Sequence, residues 1–491
     1  MMPLREPLYD RSQVWLFPPS LDEFVSADSE ARLLDSAMEC LDWSKLESSY
    51  SDRGRPAYSP RVLAKVLVYA YSKGVRSSRK IAELVANDVR FMWLARMERP
   101  DFHTIARFRK DRFCELGELF GESVRLCAGA GLVLLSSVSV DGSKVVADVS
   151  SSSLYDQDRI DRERAMIDKI LREAEEVDSR EDREYGDWDG QSMPEEMKDP
   201  EVRRKRLEEL ADRMREESCK QMSATDPDCR MMHTGKGDVQ PCYNVQAAVD
   251  SSNQVVLAVD VINAARDSDQ LPGVVEQVRA NVGLSPDVVL ADSGYSSESS
   301  LAELSEMGQE ALIPACGEPR GGRKVGISSD AFVHDKKRDV LICPAGREMG
   351  FRGEQRAGSG RYRVYSARGC KGCDLYEQCV PSGRGSRRVS LSVIADLREA
   401  MRRKLDSADG KRAFALRKQT VEPVFGHFKR NLGFDRFLLR GLAGAAAEVY
   451  LVAIAHNIMK WATARLLFAN LLRRFVSCPA FRPRLASHAL A

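Results

Sequence analysis

Asp141, Asp292 and Glu422 are the residues of this chain best placed to do chemistry, because each stands where an apolar run gives way to a turn or to a basic helix. Val133-Leu134-Leu135, continuing through Val138 and Val140, predicts a buried strand closed by the turn Asp141-Gly142-Ser143, with Asp141 at its carboxyl end. Val288-Val289-Leu290-Ala291 predicts a second, shorter strand closed in the same manner by Asp292-Ser293-Gly294-Tyr295, where Gly294 allows a tight turn. Arg417 to Arg430 has helical spacing, with Val421, Val424, Phe425 and Phe428 on one buried stripe. Glu422 lies beside that stripe, just before Pro423, a residue best tolerated in a helix's first turn. Hard divalent ions such as Mg²⁺ take oxygen ligands and complete their shell with water and phosphate oxygens, so two or three carboxylates suffice. Two such ions roughly 3.5 to 4 Å apart stabilise the attacking and leaving oxygens of an in-line phosphoryl displacement, with no covalent protein nucleophile. Any one of these acids alone reads better as a turn residue, a helix cap or a solvated charge; the combination favours a metal site.

The surroundings of the acids point to a polyanionic partner. The 491-residue chain is 43% hydrophobic and 30% charged, ordinary for a soluble globular protein of two or three domains. Its net charge of +1 conceals segregation. Residues 53–112 hold fifteen Lys or Arg against five acids, and residues 397–440 hold twelve against five, the second excess lying around Glu422. Both stretches could neutralise phosphates, although each could also be a solvated basic face. Lys429 follows Glu422 by two helical turns, so its ammonium could grip a phosphate beside the acids, with Arg417 and Arg430 assisting. His427 and Tyr295 read as packed or surface residues.

The elements that must position these groups follow from periodicity. Residues 1–130 read as all-helical and DNA-binding: Asp101 or Thr104 caps a helix whose Ile105 and Phe108 face inward while Arg107, Lys110 and Arg112 reach outward, as in a helix-turn-helix. A plain helical bundle with a basic surface would show the same pattern. Residues 131–150 carry the first core strand, and 151–240 form a charged helical insertion whose 156–215 stretch has too few large apolar residues for a core of its own. Residues 241–315 supply a hairpin around Asp250-Ser-Ser-Asn253, a helix from about Ser268 to Asn281, the Asp292 strand and a fifth strand near Leu312. A Cys-rich insertion occupies 316–395, and C-terminal helices with Glu422 occupy 396–475. The expected class is α/β: an RNase H-like core with two insertions behind an all-helical N-terminal domain.

Met1 to Ser20 lacks a basic-then-apolar leader, so the expected location is the cytoplasm. Gly441–Leu472 is rich in Ala, Leu and Val but is interrupted by Glu448, His456, Lys460 and Arg465, which favours a buried or self-associating helix pair over a membrane span. Twelve cysteines in such a chain suggest thiols or a metal rather than disulfides. Cys343, the pair Cys370-Lys-Gly-Cys373, and Cys379 offer tetrahedral thiolate coordination suited to structural Zn²⁺, which would staple a Gly- and Arg-rich insertion too loose to fold by apolar burial. Cys219, Cys229, His233 and Cys242 form a looser set and read as ordinary residues.

Together, Tyr58-Ser-Pro-Arg-Val-Leu, Ser77-Ser-Arg-Lys-Ile, Pro100-Asp-Phe-His-Thr-Ile-Ala-Arg-Phe-Arg109, Val140-Asp-Gly-Ser, Tyr243-Asn-Val-Gln, Ala291-Asp-Ser-Gly-Tyr and Val421-Glu-Pro-Val-Phe carry a family resemblance over nearly the whole chain. It resembles DDE transposases of bacterial insertion sequences, most closely the IS1182-like group of the IS5/IS4-type superfamily. The resemblance implies an RNase H-like core in which Asp141, Asp292 and Glu422 bind two Mg²⁺ or Mn²⁺. It also implies an enzyme that binds terminal inverted repeats, cleaves DNA and transfers the cut strand to target DNA, as a homodimer or larger assembly. Similar cysteines in relatives agree with the zinc reading. Two other readings stay open: a stand-alone RNase H-like nuclease, and a domesticated non-catalytic DNA-binding protein, against which three intact acids speak.

Overall fold

Among the described residues, a 3-10 turn at Leu21–Phe24 is followed by the helices α1 (Glu30–Met38), α2 (Ser44–Ser48), α3 (Pro60–Ser72), α4 (Ser78–Asn87), α5 (Val89–Leu94), α6 (Phe102–Asp111) and α7 (Phe113–Gly129). The computed structural model describes residues 20–50, 57–185, 200–235, 237–314, 327, 331–335, 337–357, 360–380 and 385–477. The leader reading over Met1 to Ser20 and the start of the second insertion at Cys316 therefore rest on residues outside this set, Ser20 apart. Side-chain caps start several helices, with Ser29 accepting from the Ala31 N–H, Asp88 from Arg90 and Asp101 from Thr104. Helix α3 has Pro60 in its first turn and is buried from Val62 to Tyr71 on nearly every side, since the other helices surround it.

The central sheet follows. Its elements are β1 (Val138–Val146), β2 (Leu154–Tyr155), α8 (Gln157–Tyr185), α9 (Pro200–Glu216), β3 (Met222–Ser223), β4 (Arg230–His233), β5 (Val239–Asp250), β6 (Val256–Ile262), α10 (Leu271–Val282), β7 (Val289–Leu290), α11 (Glu298–Glu306) and β8 (Ala311–Leu312). Strands β6, β5, β1, β7 and β8 lie side by side, with β4 paired to the leading end of β5. Neighbours among β6, β5 and β1 run antiparallel, whereas β7 and β8 run parallel to β1. The small β2–β3 pair stands apart.

Strand β1 differs from its sequence reading at both ends. It begins at Val138 rather than Val133, because the Leu134 and Leu135 N–H groups donate to the buried Asp250 carboxylate and Leu135 takes φ +56°. It then runs through Asp141 instead of stopping there, since β5 pairs with all nine positions from Val138 opposite Asp250 to Val146 opposite Cys242. The charged insertion also builds more than expected: Tyr155, Ile160, Ile167, Leu207, Leu210, Ala211, Met214 and Met222 make a small core between α8, α9 and the β2–β3 pair.

The second insertion folds as a five-stranded antiparallel sheet of β9 (Val333–Asp335), β10 (Val340–Ile342), β11 (Glu348–Ala357), β12 (Gly360–Ala367) and β13 (Arg388–Ser392), in the order β13-β12-β11-β10-β9. Helix α12 (Tyr376–Cys379) lies between the last two strands in sequence, and six buried residues from Phe332 to Val389 form the core. Apolar burial therefore does shape this segment, contrary to the sequence reading. Helices α13 (Ala395–Asp406), α14 (Ala408–Gly426) and α15 (Gly441–Ser477) are the last elements among the described residues. Residues 441–468 of α15 are long and apolar enough to cross a membrane, but 72% of the apolar window lies inside the protein, against α1, α3, α7 and β6. That is the position of a core helix.

Candidate active site

Parallel pairing brings the first two acids together. Val138 lies opposite Val289 and Ser139 opposite Leu290, so Asp141 and Asp292 each stand two residues past the last paired position, on adjacent strands. Asp292 caps a short 3-10 turn, its Oδ1 accepting 2.8 Å from the Gly294 N–H. A Cβ at Gly294 would come within 2.9 Å of that oxygen, so close approach, rather than an unusual φ, favours glycine there. Asp141 Oδ1 accepts from the Gly142 N–H at 3.0 Å. Burial pushes the Asp141 carboxyl up to about 6; Arg417 opposes that rise, while the negative charges of Asp292 and Asp267 add to it.

Helix α14 packs across β1, β5 and β7 and carries the third acid. Arg417, buried on its inner side, points Nη1 to within 3.4 Å of Asp141 Oδ2. Its Nε and Nη1 make no hydrogen bond, so a buried cation next to the acids has donors to spare. Glu422 lies further along the same helix, exposed and with no hydrogen bond or ion pair among the described residues. The structure thus couples Asp141 and Asp292 electrostatically and lays Arg417 on Asp141, while Glu422 stands on the helix that crosses β1 and β7. Among the described residues no set of three His, Cys, Asp or Glu side chains is already closed into a metal cage.

Pro423 sits near the end of α14, not in its first turn. Lacking an N–H, it leaves the Gln419 carbonyl free of its helical partner, and Gln254 Nε2 donates to that oxygen at 3.1 Å. Immediately beyond, His427–Asn431 winds as a π-helix, a distortion often found at functional sites. The change of pitch turns Lys429 onto β1: its Nζ donates to Ser143 Oγ at 2.7 Å and to the Lys144 carbonyl at 3.0 Å. Burial lowers its pKa. Lys429 thereby ties the Glu422 helix to the Asp141 strand. Arg430 is exposed.

Sequence reasoning gave no role to Asp267, Asn244 or Gln246. Asp267 Oδ1 accepts from Asn244 Nδ2 at 2.5 Å and Gln246 Nε2 at 2.6 Å, with Lys144 Nζ at 3.3 Å. Gln246 in turn accepts from the buried Tyr295 hydroxyl. A Cβ on Gly142 would lie 2.6 Å from both Asp267 Oδ1 and Gln246 Nε2, so only glycine lets this network stand beside Asp141. The available signal was the alternation of buried Asn244 and Gln246 within the apolar strand β5, since a polar side chain in such a run needs a partner.

The basic face of the N-terminal helices divides. On α6, Arg107 and Lys110 are exposed, whereas Arg112 stacks 4.6 Å over Tyr50 and pairs with Glu115 at 3.3 Å. Arg109 turns inward, donating to the Tyr71 hydroxyl at 2.9 Å and the Arg76 carbonyl at 2.7 Å. Arg79 and Lys80 of the adjacent α4 extend the exposed positive surface. In the second insertion, Cys343, Cys370, Cys373 and Cys379 all line one hollow. Cys229 and Cys242 are buried, and burial pushes the Cys242 thiol up to about 11.

Residues 342–462 match the model of a transposase DDE domain, a span that includes Glu422 and Arg417 but neither Asp141 nor Asp292. Residues 19–111 match a second model, described as a transposase domain, DUF772, which ends with α6. No curated protein matches the chain. Two stretches of the chain are thus similar to transposase domains, one towards its carboxyl end to a DDE domain and one over its opening helices to DUF772.

Proposed function

We propose that the protein is an insertion-sequence transposase of the IS1182-like kind, working in the cytoplasm, which binds terminal inverted repeats, cuts at the element's end and joins that end to target DNA. The observation that carries the reading is that Asp141 and Asp292 each stand two residues past the last paired position of the adjacent parallel strands β1 and β7 in a β6-β5-β1-β7-β8 sheet, crossed by the helix bearing Arg417 and Glu422. That strand order, with one antiparallel hairpin and a parallel β1-β7-β8 run, suits an RNase H-like core.

Asp141, Asp292 and Glu422 are the residues that would hold two Mg²⁺ or Mn²⁺. The donor set is all oxygen, and Asp141 is a half-buried carboxylate whose negative charge is only partly offset by Arg417, so a hard cation fits it. When bound, such ions polarise the phosphate and favour hydroxide over water. The protein's own groups orient the DNA. Arg417 offers unsatisfied donors to a phosphate oxygen, Lys429 holds α14 against β1, and Arg107, Lys110, Arg79 and Lys80 face the flanking duplex. In the first step water attacks phosphorus, the P–O3′ bond breaks and the departing 3′ oxygen takes a proton. In the second, that 3′-hydroxyl attacks a target phosphodiester, forming a new P–O3′ bond and releasing a target 3′ end.

The test is to incubate purified protein with DNA spanning the gene's own borders, labelled at the element-side 5′ end of the strand to be cut, together with unlabelled plasmid, with Mg²⁺ or with EDTA. Metal-dependent cutting at one border position and appearance of label in plasmid support the reading. Cutting without transfer would make the protein a nuclease, and specific binding without cutting a DNA-binding protein that has lost its chemistry.

A further inference from the structure

The four cysteines of the second insertion meet by way of two turns, each shaped for a ligand on sulfur. In Cys343-Pro-Ala-Gly346-Arg347 the Gly346 N–H donates to the Cys343 carbonyl at 2.8 Å, Gly346 takes φ +73°, and the Arg347 N–H points at Cys343 Sγ from 3.4 Å. In Cys370-Lys-Gly372-Cys373 the Cys373 N–H donates to the Cys370 carbonyl at 3.2 Å and Gly372 takes φ +86°. Both glycines occupy the left-handed region, which side chains rarely adopt, so each turn can fold its cysteine back. Cys379 closes the group from α12. All four thiols line a hollow of about 30 Å³, together with Phe332, Met349 and Tyr376. That is the scale of one water molecule or one ion.

We propose that Cys343, Cys370, Cys373 and Cys379 hold one structural Zn²⁺, which fastens the five-stranded sheet at the end remote from the catalytic core. The inference is independent of the catalytic reading. Four thiolates around Zn²⁺ leave two negative charges, and the guanidinium side chains Arg347 and Arg387 line the same hollow to offset them. The need is physical as well: six buried residues are a small core for a five-stranded sheet, the situation in which a metal supplements apolar burial. As placed, no three of these side chains stand close enough to hold a metal ion. Binding would require the thiols to draw together, with their protons released to solvent. At its other end the sheet is tied to α11, just after Asp292, where the Arg361 N–H and Nε donate to Glu298 at 2.7 and 2.8 Å. The metal would thus hold rigid a sheet that abuts the second acid's loop.

Full-length protein purified under reducing conditions with Zn²⁺ in the medium should contain one zinc per chain by mass spectrometry of the metal. The double variant Cys370→Ser/Cys373→Ser should lose it, and the control Cys40→Ser/Cys114→Ser, at two exposed cysteines elsewhere, should keep it. Co²⁺ in place of zinc should give the wild type a thiolate-to-metal charge-transfer band with the intensity of four thiolates. This second readout needs no variant to fold. Wild type that takes up neither metal, a double variant that keeps a full zinc, a band of two thiolates or fewer, or a disulfide among the four would overturn the proposal.

Discussion

Replacing Asp141 with Asn should stabilise the metal-free protein while removing its activity, and the size of the gain should depend on pH. The Asp141 carboxyl is raised from 3.8 to about 6, chiefly by burial, so the folded chain holds this proton more tightly than the unfolded chain does. Stability linked to the group is therefore highest below the unfolded value. It falls as pH rises between about 4 and 6, and it is level above that. A rise of this size corresponds to about 3 kcal/mol of destabilisation once the group is ionised. Asparagine keeps the shape without the charge. In EDTA the variant should match wild type near pH 4 and exceed it by up to about 3 kcal/mol at pH 8, with the difference opening through the window between the two pKa values. Denaturant or thermal unfolding of both proteins at half-unit steps of pH measures this directly. Mg²⁺ should then raise the wild-type midpoint at pH 8 and leave the variant's where it was. A constant offset between the two proteins at every pH, or a variant less stable at pH 8, would refute the argument that Asp141 is a buried charge awaiting a cation.

Arg417→Met should leave binding of end DNA intact and slow cleavage by about 10²-fold, the usual loss for one charge-stabilising donor. The pH at which stability falls should also move upward, because Arg417 holds the Asp141 carboxyl down. The pair Arg107→Ala/Lys110→Ala should weaken binding at all sequences and reduce the slope of log affinity against log salt by about 2, read by titration at several salt concentrations. Glu448→Ala, which removes the acceptors as well as the charge, should destabilise the protein by about 3–5 kcal/mol, seen as a lower unfolding midpoint at pH 8. That carboxylate is fully buried, accepts from Arg76 at 2.9 Å and from the Leu438 N–H at 2.7 Å, and joins the N-terminal helices to the segment after Glu422. An unchanged midpoint would mean that the helical domain is fastened by packing alone.

What was legible in the sequence, and what was not, follows from range. Strands β5, β6 and β7, helix α10 and the inward Ile105 and Phe108 of α6 are written in local apolar periodicity, and the structure has them within a few residues. The start of β1 was misread because Leu134 and Leu135 are apolar without being in the ladder; the Asp250 carboxylate that captures their N–H groups lies more than a hundred residues away. Pro423 was misread for a similar reason. Whether a proline can sit late in a helix depends on what takes the freed Gln419 carbonyl, and Gln254 does so from another element. The small core of the charged insertion was hidden because Ile160 and Ile167 on α8 find Leu207, Leu210 and Met214 across a stretch dense in charge. In the candidate site, Asp141 and Asp292 carried signals of their own as acids after apolar runs. Asp267 carried none, being one loop acid among many until Asn244 and Gln246 are seen to hold it.

Asp141, Asp292 and Glu422 are proposed to act as one site, although Glu422 stands exposed and unpaired on α14 among the described residues. The direct measurement is the rate of Mg²⁺-dependent cutting of border DNA by Asp141→Asn, Asp292→Asn and Glu422→Gln, alongside each variant's affinity for the same DNA. All three variants should lose cutting and keep wild-type binding. Glu422→Gln cutting at the wild-type rate, with either aspartate variant inactive, would remove the glutamate from the site and contradict the claim.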